Sequence, residues 1–222
     1  MERKFILTDK FVINSIGIKL FQIKCTKSFK YAQKGDFGGY VEKEGNLDQE
    51  NDAWVFGNAR VFGNARVSSN ARVSGDAWVS DNARVSGDAW VSDNAWVSSN
   101  AWVSGDAWVS GDAWVSGDAR VFGNARVSGD AWVSGNAWVS GNADIENDNE
   151  HCGFDGFGSC NRHTHAYMTK EKKVEIICGC FRGSIEEFEK KVEETHSGTV
   201  YEKQYKSIIN VIKIKFGLTD FT

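Results

Sequence analysis

The stretch "WVSGDAWVSGDAWVSGDAR", residues 102–120, repeats one six-residue phrase three times. The phrase runs on in both directions and fills about two-fifths of the chain. Alanine returns every sixth residue from Ala53 to Ala143, in sixteen copies. Valine follows two places later from Val55 to Val139, and Ile145 takes the last such slot. A short fixed period is the signature of a solenoid. A helix does not fit, because frequent glycine, β-branched valine and a period of six all oppose a 3.6-residue turn. A short strand closed by a corner does fit. Three such units make one triangular coil, and stacked coils make a parallel β-helix.

Side chains alternate along a strand, so Ala and Val point inward while Trp/Arg and Ser/Phe point outward. The Gly-Asp and Gly-Asn pairs supply the tight corners. Sixteen units give a little over five coils, a prism ~25 Å long at ~4.8 Å per coil. Every third unit returns to the same face, so the outward Trp/Arg position forms three ladders. The first is Trp54, Arg72, Trp90, Trp108, Arg126, Asp144. The second is Arg60, Trp78, Trp96, Trp114, Trp132. The third is Arg66, Arg84, Trp102, Arg120, Trp138.

Nine outward indoles are more than sheet stabilisation requires. Trp and Arg are the residues most enriched in binding hot spots. Trp78, Trp96, Trp114 and Trp132 form an apolar stripe that is expected to be covered by another chain. The third ladder is the most cationic. Arg66, Arg84, Trp102, Arg120 and Trp138 are the expected ligand-binding residues, suited to a planar anionic, nucleotide-like ligand or to nucleic acid. Carbohydrate stacking on the indoles fits the same residues.

Composition divides the chain at residues 1–50, 51–145 and 146–222. No lysine lies between Lys43 and Lys170, and all nine tryptophans lie between Trp54 and Trp138. The first zone reads as an N-terminal β cap, with a hairpin over KFILTDKFVINSIGIKLFQIKC. The last reads as a small α+β domain of ββαα order. HTHAYMT and VEIICG alternate like strands, and capping boxes at Ser184 and Thr199 each open a helix. Net charge is −4, no run approaches a membrane span, and five cysteines lack scaffold spacing. These features point to an intracellular, reduced, cytoplasmic protein.

The V-x-G-[DN]-A-x pattern resembles the hexapeptide repeat of left-handed β-helices, best known from acyltransferases. That resemblance implies left-handed coils and, as is common among such proteins, a homotrimer. The lead-in GDFGGYVEKEGNL (35–47), the coils (52–145) and the tail from GFGS through CGCFRGSIEEFEKKVEETH (156–196) resemble a phage and prophage protein family loosely called hexapeptide transferases. This resemblance implies a mobile-element origin and the host cytoplasm. It suggests a counter-defence role, by sequestering a nucleotide signal or blocking a host protein. An acyltransferase and a structural phage component are the alternatives.

Chemistry is poorly represented. Hexapeptide acyltransferases typically place a histidine on or beside the coils. Here His151, His163, His165 and His196 all lie in the tail, and no loop interrupts the coils. The spacing of Cys152, Cys160, Cys178 and Cys180 is not that of a zinc knuckle. The tail histidines read as surface residues and the thiols as half-buried. No catalytic pair, metal site or cofactor is expected, so the reading is a binding protein, not an enzyme.

Overall fold

The computed structural model describes residues 3–219. The N-terminal segment forms an antiparallel hairpin of β1 (Phe5–Ile13) and β2 (Lys19–Cys25), and β2 pairs with β3 (Phe37–Val41). Sixteen two-residue strands follow at six-residue intervals, from β4 (Trp54–Val55) to β19 (Asp144–Ile145). They sort into three parallel sheets, one per face of the prism. Each strand pairs with the one eighteen residues on, as Trp96 does with Trp114 and Val97 with Val115. The first face has six rungs, and the solenoid has about six turns. Val41 and Leu47 pair with Val61 and Val67, so the lead-in supplies the irregular start of the coil.

The lumen is the core. Every repeat alanine and valine is at most 3 % exposed. Small Ala beside branched Val fills a narrow triangle, and their stacked copies make one continuous cluster. The corner residue adopts positive φ throughout, and Gly75 shows why glycine dominates there. Its φ is +68°, and a Cβ would stand 2.8 Å from the Asp93 backbone one coil on. Asp81 and Asp93 hold the same conformation (φ 58° and 60°). Their carboxylates accept the corner N–H groups of Ser99 and Gly111 in the next coil, at 3.0 and 3.2 Å. Those bonds offset the αL cost.

The tail has four strands where the sequence suggested two. The antiparallel sheet runs β20 (His151–Phe157), β21 (Arg162–Met168), β22 (Val174–Cys178), β23 (Phe181–Gly183). Glycines 153, 156 and 183 interrupt the alternation that would have marked the two outer strands. Helices α1 (Ile185–His196) and α2 (Val200–Lys215) begin at the Ser184 and Thr199 caps. Ile185, Phe188, Val192, Ile208, Ile209 and Ile212 pack on one side of the sheet as a second core.

Both ends of the coil meet side chains. Lys4 Nζ donates to the carbonyls of Asn51 and Ala53 (2.5 and 2.9 Å), and burial lowers its ammonium pKa to about 8. At the far end the Trp132 N–H would meet an alanine carbonyl if another coil followed. It donates instead to Asp148 Oδ1, at 2.7 Å. The Trp138 carbonyl accepts from His165 Nδ1 at 2.9 Å.

Candidate ligand-binding surface

The three ladders form in the expected registers, but they are not equivalent. On the first face, Trp90 and Trp108 stack at 5.3 Å and 5°. The Arg72 and Arg126 guanidiniums lie over the two outer ring faces at 4.5 and 4.6 Å. This cation–π sandwich is half-buried and leaves no ring face free. Trp54, expected to point into solvent, is 1 % exposed because Phe5 and Phe29 pack edge-on against it.

On the second face Trp96, Trp114 and Trp132 stack in parallel at 5.0 and 5.1 Å, and all three are exposed. Trp78 departs from that stripe. Phe62 packs edge-on to it, and it joins a cluster with Leu20 of the hairpin and Tyr40 of β3, so it is half-buried within its own chain.

Sequence reading missed what holds the indoles upright. Six of them donate Nε1–H to the serine sixteen residues earlier: Trp90 to Ser74, Trp96 to Ser80, Trp102 to Ser86, Trp108 to Ser92, Trp114 to Ser98 and Trp132 to Ser116, at 2.8–3.4 Å. Where phenylalanine replaces that serine, at Phe62 and Phe122, the matching Trp78 and Trp138 pack edge-to-face on it. The signal lay in the sequence as a sixteen-residue offset between Ser/Phe and Trp. Donor satisfaction and rotamer locking are thus built into the repeat.

The third face is open. Arg66, Arg84, Trp102, Arg120 and Trp138 are all exposed. Among the described residues no carboxylate pairs with Arg66, Arg84 or Arg120; Arg126–Asp144, at 4.0 Å, is the one ion pair within the repeat. Arg120 lies over Trp138 at 5.3 Å. Two cavities open at the foot of this face. One, about 200 Å³, is lined by Trp102, Ser104, Arg120, Phe122 and Trp138. The other, about 450 Å³, lies between Trp138 and the tail sheet, with Asn136, Asp155, Arg162, His163 and Ile177 in its walls. Arg66 and Arg84 lie higher on the face and line neither.

The tail histidines, expected at the surface, are half-buried at 151, 163 and 196 and fully buried at 165. His165 is 1 % exposed. Its Nδ1 bonds a carbonyl, so it carries the proton, and Nε2 accepts from His151 Nδ1 at 3.2 Å. Burial lowers the His165 pKa to about 3 and pushes His151 down as well. His163 Nδ1 lies 2.8 Å from Asp155 Oδ1, the geometry of an oriented imidazole. Its Nε2, however, is buried without a partner and lies flat over Gly153, where a Cβ would come within 3.1 Å. In this arrangement the imidazole has no nitrogen free to act as a base toward the cavity. Among the described residues no group of three or more His, Cys, Asp or Glu is placed to hold a metal ion. No described helix is long and apolar enough to cross a membrane.

The family model of the YdcK beta solenoid repeat matches residues 65–81, 79–93 and 119–135. Those segments lie wholly within the coils, and with the three-sheeted prism they place the chain among β-helix repeat proteins. No curated protein matches the chain.

Proposed function

We propose that the protein is a non-enzymatic binding module whose ligand is a planar, anionic ring compound of the nucleotide class, held at the foot of the third face. One observation carries this reading: two cavities open there, and Trp138 lines both. The first ladder has spent its ring faces on its own arginines. The second offers stacked apolar rings. The third alone offers exposed indoles beside exposed guanidiniums that no carboxylate among the described residues pairs. A base stacked on an indole gains ~1–3 kcal/mol, and guanidinium–phosphate hydrogen bonds add to this.

Calorimetry of the full chain against mono-, di- and cyclic nucleotides and short oligonucleotides tests the reading. Binding is expected to weaken with Trp138→Ala, Trp102→Ala or Arg120→Ala, and with added salt. If nothing in the panel binds below millimolar concentration, the assignment passes to a host protein as partner.

The same reading places another copy of the chain over Trp96, Trp114 and Trp132, in a homotrimer of left-handed coils. The N-terminal hairpin blocks further coil pairing at its end. Carried by a mobile element, such a module would act in the host cytoplasm as a counter-defence protein that removes a nucleotide signal.

A further inference from the structure

The large cavity at the foot of the third face lies on the coil side of the tail sheet, a second lies on its helix side, and Arg162 lines both. Their chemistries differ. The larger has the Trp138 indole and Ile177 as walls and a single carboxylate, Asp155. That carboxylate is held in place: Oδ1 accepts from His163 Nδ1 at 2.8 Å and from Asn136 Nδ2 at 3.3 Å. The side chain is still 60 % exposed, so Oδ2 can accept further hydrogen bonds. The smaller cavity, about 190 Å³, contains Arg162, Lys191 and His196 beside the Tyr205 ring, and no carboxylate lines it. Lys191 has one acidic neighbour, Glu194 at 3.6 Å, and Arg162 forms no ion pair among the described residues.

We infer that the large cavity selects a guanine-type nucleotide, its ring against Trp138, its adjacent ring and exocyclic N–H groups donating to Asp155, and its phosphate on Arg162. The inference rests on the ligand reading above and deepens it. An ionised carboxylate only accepts hydrogen bonds. A base edge that presents two neighbouring donors satisfies it, as guanine does. Adenine would turn a ring-nitrogen lone pair toward the carboxylate and leave a polar group unpaired. A cationic amine would also suit Asp155, but Arg162 in the same cavity repels it. Cavities of ~300–1,000 Å³ are the usual size for small-molecule sites, and about 450 Å³ falls in that range.

The test is calorimetry of the full chain with GMP, AMP and guanosine, on the wild type, Asp155→Asn and Arg162→Ala. Wild type is expected to bind GMP at least ~10-fold more tightly than AMP, the lower end for one well-made carboxylate–guanine contact. Asp155→Asn is expected to bring that ratio close to one while AMP binding persists, which also shows that the variant is folded. Arg162→Ala is expected to weaken GMP and leave guanosine unchanged. Equal GMP and AMP affinities in the wild type, or an unchanged ratio in Asp155→Asn, overturn the base assignment and leave the third-face reading standing. Absence of binding by all three ligands overturns both.

Discussion

His165 ties the tail to the last coil, and its burial makes that junction sensitive to acid. Folded, its pKa is about 3; unfolded, it returns to 6.5. The folded value is the lower one, so between those limits the unfolded chain binds the extra proton. Stability is therefore full above pH ~6.5 and drains away as pH falls toward ~3. At ~1.4 kcal/mol per pH unit the whole window is worth ~5 kcal/mol, and at pH ~4.5 the loss is ~3 kcal/mol. Geometry explains the resistance to protonation. Nδ1–H is already given to the Trp138 carbonyl, and a proton on Nε2 would face the His151 N–H at 3.2 Å. His165→Gln keeps an amide donor but cannot titrate. Urea unfolding at pH ~7 and ~4.5, followed by circular dichroism, compares the two proteins. Hydrogen exchange in strand Arg162–Met168 locates the loss, since solenoids open from their ends. Wild type is expected to lose ~3 kcal/mol more than His165→Gln over that interval. Depressed carboxylates such as Asp48 add acid sensitivity of the same sign, but equally in both proteins. Equal losses would mean that His165 is not held neutral, and the account of the junction would fail.

Two further outcomes are expected. Val97→Asp places a carboxylate in a lumen of alanine and valine with no partner, so it should cost several kcal/mol or prevent the coils from forming, read as lost β-sheet circular dichroism. Trp96→Ser with Trp114→Ser should lower the mass measured by light scattering while leaving the β-sheet signal intact; an unchanged mass would remove the second face from the assembly.

Much of the fold was legible because the repeat makes it local. Period six sets strand and corner, alternation sets inside and outside, and multiples of eighteen set the ladders. Parallel pairing of identical units leaves one register, so Trp96 against Trp114 follows from counting. Even the serine supports of the indoles were present as a sixteen-residue offset, though not recognised. Counting could not say which indoles would stay open. Trp54 and Trp78 are covered by Phe5, Phe29, Leu20 and Tyr40, residues outside the repeat whose positions depend on how the hairpin folds back. The two outer tail strands were hidden by glycines that break alternation. Above all, the candidate site is a tertiary product. Trp138 ends a ladder, while Asp155, Arg162 and His163 belong to a sheet that never repeats. Period and alternation place residues within one element, but cavity walls and the pKa of His165 depend on burial where two elements meet, and that only packing decides.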